Sequence, residues 1–456
     1  MVERAVITAV SPVVEQLTGM RAAIVDMVAA ATDQAEAIDR IQELERLKSA
    51  CAAAQARETA ALQRLRLADE AARGVPKARR GRGLGAEIGL ARGESATRGH
   101  RHLNLAAALT TVLPNTFQAL LTGRVAEEHA QVVATETAWL SADHRREADA
   151  LIAERLGTVG PRQLAGAVRA HAQRLDQTGA LKQLAKAVGQ RRVTVRPAPD
   201  NMAYLTALLP MQQAVGVYAC LRRDATTMVG TGETADPADP SAQPRTRDQI
   251  MADLLVERTT GQTSAAAVPA EVQLVMTDGA LFGASQTPAW LAGHGPIPAA
   301  VVKHWLADPE LQVFLRRVFT RPEDHQLVAL EARGRSFPPG LRRKILVRDD
   351  ICRNLWCDNP AEHADHLKPH KKGGSTSYDN GSGLCASCNQ TKENTGWRHT
   401  GDPTHLRVET PTGHIYRAPT PPLVAGQSPP THQPQNQPQQ RTSDPEASDS
   451  DASEPP

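Results

Sequence analysis

At 456 residues the chain exceeds a single small fold and can bury a conventional core without covalent staples. Lys plus Arg total 52 against 50 Asp plus Glu, so the net charge of +2 excludes a uniformly polycationic surface, and any basic face has to be local. Aromatic residues make up only 3%, which leaves Ala, Leu and Val to build the core and favours helices over sandwiches.

The opening "MVERAVITAVSPVVEQLTGM" has an apolar patch broken by Ser11, Pro12 and Glu15, too short and too interrupted for a signal sequence. No stretch reaches the unbroken apolar length of a membrane span, so a cytoplasmic protein without a membrane partner is expected. Residues 33 to 73 carry one continuous helical pattern, entered through Thr32 with Asp33 and Glu36 in the first turn and closed by Gly74 and Pro76. At helical rise it is about 60 Å long. Ile38, Ile41, Leu44, Leu62 and Leu65 partly fit a heptad that Lys48, Gln55 and Glu58 interrupt, so a bundle helix is the reading over a coiled coil. The same helix offers a surface for forming a homodimer.

The connection "RGVPKARRGRGLG" sets Arg73, Lys77, Arg79, Arg80 and Arg82 among glycines. It could grip phosphates, but with no partner motif it reads as a solvated loop. Helices are expected from about 84 to 188, one capped by Ser141 and one opened by Pro161. Val193 and Val195 then alternate ahead of a Pro and Asp turn, which predicts a hairpin. Helical spacing returns in "MQQAVGVYACLRRDA" and "DQIMADLLVERTTG", and "EVQLVMTD" reads as another strand. A small antiparallel sheet covered by helices is the economical assembly. The end of the chain, from 418, is dominated by Pro, Gln and Ser with an acidic finish, a composition expected to stay disordered.

Chemistry concentrates in residues 348 to 397. Six cysteines occur in the chain, and Cys352, Cys357, Cys385 and Cys388 share this stretch while Cys51 and Cys220 stand alone. Pairs separated by four and by two residues match two turns closing on one zinc ion, and four thiolates leave no open position, so the zinc is expected to be structural. Between the pairs, "HADHLKP" reads as a strand, "KKGGST" as a turn and "SYDNGSGLC" as a returning strand, with "ASCNQTKENTG" opening a helix on which Trp397 packs back. Asp349 and Asp350 read as an exposed helix end. His363 reads as a surface histidine, and His370 as either a phosphate contact or a solvated turn. Residues 333 to 400 hold 12 Lys or Arg against 7 Asp or Glu, a local excess of five cations suited to a polyanion. Arg342, Arg343, Lys344, Lys368, Lys371, Lys372 and Lys392 are the candidate nucleic-acid contacts.

Four cysteines together with Asp365-His366 in "ADHL", Asn380 in "YDNG" and Asn389 in "CASCNQTK" resemble the HNH endonuclease superfamily. Asn389 stands where the motif's name has its last His, as in Asn-ended variants of the superfamily. The resemblance implies that Asp365 and Asn389 hold a catalytic Mg²⁺ or Mn²⁺, whose preference for hard oxygen donors a carboxylate and an amide satisfy. It implies further that His366 is the general base, that Asn380 ties the inter-strand loop and helps orient His366, and that DNA is cut to leave 5′-phosphate and 3′-hydroxyl ends. A non-catalytic zinc-stabilised DNA-binding protein is the alternative.

Upstream, "GAEIGLARGESATRGHRHLNLAAALTTVLPNTFQALLTGRVAEEHAQVVATET" and "RSFPPGLRRKILVRDDICRNLWCD" look like bacterial HNH proteins that carry domain of unknown function 222 ahead of the nuclease. The expected class is α+β and predominantly helical. An N-terminal helical segment covers 1–30, a mostly helical domain 31–330, a zinc-stabilised ββα-metal nuclease unit 331–417 and a disordered tail 418–456.

Overall fold

The computed structural model describes residues 3–4, 11–27, 31, 33–200, 202–235, 243–261, 274–283, 285–291, 293, 295–306, 331–332 and 336–420. After a short strand β1 (Glu3–Arg4), α1 (Pro12–Val25) leads to α2 (Gln34–Ala72), α3 (Leu84–Arg92), α4 (Ala96–Thr111), α5 (Pro114–Leu121), α6 (Glu127–Glu136), α7 (Ala142–Leu151), α8 (Pro161–Leu175) and α9 (Gln177–Val188). The hairpin β2 (Arg192–Pro197) and β3 (Ala203–Leu208) follows, then α10 (Met211–Thr231) and α11 (Arg247–Thr260). A small three-stranded sheet is built from β4 (Leu274–Val275), β5 (Ala289–Leu291) and β6 (Gly295–Ile297), with α12 (Asp278–Leu281) and α13 (Ala299–Leu306) beside it in sequence. No helix among the described residues is long and apolar enough to cross a membrane.

The long helix begins one residue later than its sequence suggests. Asp33 is the N-cap, its carboxylate accepting the Glu36 N–H at 2.8 Å. The buried face of α2 includes Ser49, Ala52, Ala53 and Ala56, small residues that let α4 approach closely, and continues through Thr59 and Arg66, while Ile38, Ile41 and Leu44 are exposed. Leu105, Leu109, Leu113, Leu120, Val133, Ile152, Leu164 and Val168 fill the core against that face. Asp149 of α7 caps α5 from outside: its carboxylate accepts the Asn115 and Thr116 N–H groups at 2.7 and 3.0 Å, an anion at a helix N-terminus. α3 and α4 cross backbone to backbone, since a Cβ on Gly99 would fall 1.9 Å from the Gly85 carbonyl oxygen.

The β2–β3 hairpin forms as expected, with Val193 opposite Ala207 and Val195 opposite Leu205, but its strand residues are all exposed. The sheet that does carry a core lies farther on, where Ala289, Ile297 and Val302 cluster.

The C-terminal unit starts with β7 (Glu331–Ala332) and α14 (Pro339–Asp349). A loop holding two of the cysteines leads to β8 (His363–His366), then β9 (Thr376–Ser377), β10 (Gly381–Leu384) and α15 (Ala386–Lys392). β8 and β10 pair antiparallel, with His366 opposite Gly381 and Asp365 opposite Ser382, while β7 pairs with β9. The chain closes with β11 (Arg398–Gly401), β12 (His405–Glu409) and β13 (His414–Pro419), an antiparallel meander edged by β1. The segment expected to be disordered from 418 therefore begins in a strand: Ala418 is buried and Thr420 with it, and residues 421–456 lie outside the described residues.

Asp349 and Asp350 are not an exposed helix end. Leu341 and Ile345 turn the buried face of α14 inward, and Arg348 and Asp349 continue that face at helical spacing. The Arg348 guanidinium pairs with Asp349 at 2.6 Å and donates to the Tyr378 and Gly381 carbonyls, while Asp349 accepts the Gly383 N–H at 2.5 Å. This buried ion pair is bonded to the backbone of Tyr378 and of β10 at Gly381 and Gly383, and so fastens α14 to the hairpin. Asp350 accepts from Trp290 Nε1 at 2.9 Å and from the Gly293 N–H at 2.8 Å, which ties the end of α14 to the β5–β6 turn.

Ala86, Leu90 and Ala96 from α3 and α4 pack in one cluster with the four cysteines, Leu384, Trp397, Leu406 and Tyr416. A buried polar chain runs through the same contact: Arg66 of α2 pairs with Glu87 of α3 at 2.7 Å, and Glu87 accepts the N–H and hydroxyl of Thr412 at 3.1 and 2.5 Å.

Candidate active site

Cys352 and Cys357 come from the loop after α14, Cys385 is the N-cap of α15 and Cys388 lies in its first turn; all four are buried. Their sulfurs lie within 4.8 Å of one another, with Cys357 Sγ 3.8 Å from Cys385 Sγ and 3.7 Å from Cys388 Sγ. A tetrahedral Zn²⁺ with Zn–S bonds of about 2.3 Å spans S–S edges of about 3.8 Å, so the thiols already stand at the spacing zinc requires. The Cys388 N–H donates to Cys385 Sγ at 3.4 Å and Asn359 Nδ2 to Cys357 Sγ at 3.6 Å, contacts that favour thiolates. The cluster fits a closed structural zinc centre.

Strand alternation divides the residues of β8 between two faces. Ala364 and His366 turn toward α14, where Phe337, Leu341, Ile345 and Tyr378 cluster. His366 is buried, its Nε2 is 2.9 Å from Thr376 Oγ1, and its ring centroid lies 4.5 Å from that of Phe337 and 5.9 Å from that of His370. Asp365 turns toward α15. Asn380 closes the loop between the strands, its Oδ1 accepting the Lys368 N–H at 2.7 Å and its Nδ2 donating to the Lys368 and Ser375 carbonyls at 2.9 and 2.7 Å. Asn389 is half-buried, and its carboxamide has no hydrogen-bond partner among the described residues.

Lys392 departs from its expected place on a nucleic-acid-facing surface. It is buried, and its ammonium donates to Asp365 Oδ2 at 2.5 Å and to the His366 carbonyl. Its position in the last turn of a short helix that packs on β8 explains this, because it shares a face with Asn389, three residues earlier, and with Cys388, four earlier. Of the remaining basic candidates, Arg343, Lys368, Lys371 and Lys372 are exposed and Lys344 is half-buried. Arg342 is exposed and donates to the Glu362 carbonyl at 2.8 Å. His363 is exposed, as is His370.

Residues missed by sequence reasoning complete the surroundings. Thr376 meets His366, and the Arg348–Asp349 pair fastens the hairpin from behind; the Leu341, Ile345, Arg348 spacing on α14 was the available signal. His399 on β11 is buried with neither ring nitrogen hydrogen-bonded among the described residues, and burial, reinforced by the Lys392 charge, pushes its pKa from 6.5 down to about 3. The unfolded chain thus binds a proton near pH 6.5 that the folded chain refuses until about pH 3, so stability falls as pH drops through this window. Acidifying from about pH 7 to about pH 5 is expected to cost wild type about 2 kcal/mol more unfolding free energy than His399→Leu, at about 1.4 kcal/mol per pH unit. Denaturant titrations of both proteins at the two pH values, with zinc in excess, measure the difference; equal losses would assign acid sensitivity to other groups.

Among family models, the one described as domain of unknown function (DUF222) matches residues 41–349, more than half of the chain. The chain belongs to the DUF222 family. The model described as HNH endonuclease matches residues 351–395, which run from the end of α14 through both cysteine pairs and α15. No curated protein and no solved structure matches the chain. The DUF222 region therefore includes α3 and α4, whose residues close the core around the HNH cysteines, and α14, whose ion pair holds the HNH hairpin.

Proposed function

We propose that the protein is a metal-dependent DNA endonuclease that hydrolyses phosphodiester bonds at the β8–α15 junction. The observation that supports this reading is the contact of β8 with α15 through Asp365 and Lys392, one helical turn from Asn389. Asp365 and Asn389 supply the hard oxygen donors that would hold Mg²⁺ or Mn²⁺. Such an ion, when bound, would stabilise the charge that develops on the phosphate and the leaving 3′ oxygen. His366 accepts the proton of the attacking water; Thr376 and Phe337 fix its ring plane, and an imidazole near neutral pH is matched to that role. Asn380 keeps the loop beneath it closed, and Lys368, Lys371 and Lys372 on that loop face solvent where phosphates could approach. Ile38, Ile41 and Leu44, exposed along α2, would supply a pairing surface for a second copy.

Incubating the zinc-loaded protein with supercoiled plasmid and Mg²⁺ or Mn²⁺ tests the reading. Nicked or linear product with 5′-phosphate ends is expected. DNA binding without any product in either metal would favour the non-catalytic zinc-stabilised binding protein instead.

A further inference from the structure

The basic connection between α2 and α3 reads as a solvated loop in the sequence, yet it is packed against the nuclease unit. Gly83 stands at φ +82°, and a Cβ there would fall 2.7 Å from Trp397 Nε1 and 3.3 Å from Asn394 Nδ2, so the loop lies directly on the segment that follows α15. Asn394 is five residues beyond Asn389, about 8 Å along a helical path, a distance comparable with a few nucleotide steps of about 3.4 Å each. The loop is also held in shape: the Gly81 N–H donates to Glu70 at 2.6 Å, and Lys77–Arg79 form a 3-10 turn.

Its cations divide into two sets. Arg73 is committed to Asp69 at 2.6 Å, and Arg80 Nε donates to the Val75 carbonyl at 2.8 Å. Lys77, Arg79 and Arg82 are exposed and have no acidic partner among the described residues. Three cations without acidic partners among the described residues, on a pinned loop against the segment that follows α15, form a surface suited to an anion whose ordering cost is met before any ligand arrives.

We infer that Lys77, Arg79 and Arg82 of the DUF222 region bind the phosphate backbone of the DNA substrate a few nucleotides from the cleaved bond. This inference rests on the nuclease reading and gives the DUF222 region a share in substrate binding. Contacts of this kind position DNA without reading its sequence.

Equilibrium binding of the full-length, zinc-loaded protein to a fluorescent random-sequence duplex, without added divalent metal and across a range of salt, tests it. Lys77→Ala/Arg79→Ala/Arg82→Ala should bind more weakly at low salt, and its slope of log affinity against log salt should be shallower by about 2.7, at roughly 0.9 per lost phosphate contact. The control Lys182→Ala/Lys186→Ala/Arg222→Ala removes three exposed cations from α9 and α10, which share no core with the nuclease unit, and should leave the slope unchanged. A wild-type slope in the loop variant, or an equal loss in the control, would overturn the inference while plasmid cleavage by wild type keeps the nuclease reading. Wild-type protein that neither binds nor cuts DNA would overturn both.

Discussion

Cys388→Ser is expected to release zinc and unfold the C-terminal unit. Zinc binding to four-ligand sites of this type is worth about 10–16 kcal/mol, comparable with the whole stability of a domain at about 5–15 kcal/mol. The effect should spread beyond the HNH match, because Ala86, Leu90 and Ala96 of the DUF222 region lose the surface formed by the cysteines, Trp397 and Tyr416. Zinc released on denaturation, measured with a chromophoric chelator, should fall from one equivalent to well below one. Limited proteolysis should cut between 350 and 420 at sites that wild type protects. Cys51→Ser, an exposed position on α2 far in sequence from the cluster, should change neither readout. Full zinc content and full protection in Cys388→Ser would show that packing alone holds the unit.

His366→Ala is expected to lower the rate of plasmid nicking by about 10²–10⁴-fold, the range for losing a positioned general base. Binding should change little, because the ring is buried whereas Lys368, Lys371 and Lys372 are exposed. The ring also fills space beside Phe337, so His366→Gln is the companion variant: it keeps much of the volume and a polar atom near Thr376 while removing the imidazole base. Both should retain one zinc and the wild-type unfolding profile. Nicking at wild-type rates by either variant would remove His366 from the chemistry.

The parts of this architecture that depend on local spacing were legible in the sequence. The two cysteine pairs, the strand ending in Asp365-His366 and the helix opened by Cys385 are each set within a few residues, whereas the loop-closing role of Asn380 came only from the resemblance to HNH endonucleases. The long helix was legible too, but not its buried face: the large aliphatic residues suggested a heptad seam, whereas Ser49, Ala52, Ala53 and Ala56 form the contact because α4 comes too close for larger side chains. Lys392 illustrates a different failure. A lysine in a basic segment is ordinarily solvated, and only the packing of α15 on β8 turns this one inward to Asp365. Arg348 and Asp349 were masked by the same assumption about charge. The Glu87–Thr412 contact joins residues 325 apart in the chain, and no local pattern encodes such a pairing. β11–β13 escaped notice because their short alternating runs are interrupted by turns and merge into a Pro-rich end.

The central claim is that Asp365 on the hairpin and Asn389 on the helix hold one hard cation between them. Titration of zinc-loaded protein with Mn²⁺, followed by electron paramagnetic resonance in the absence of DNA, measures that directly and does not depend on turnover. One Mn²⁺ site is expected in wild type and in His366→Ala, and it should be lost or greatly weakened in Asp365→Asn and in Asn389→Ala with zinc content unchanged. Manganese bound equally well by wild type and both of these variants would contradict the account.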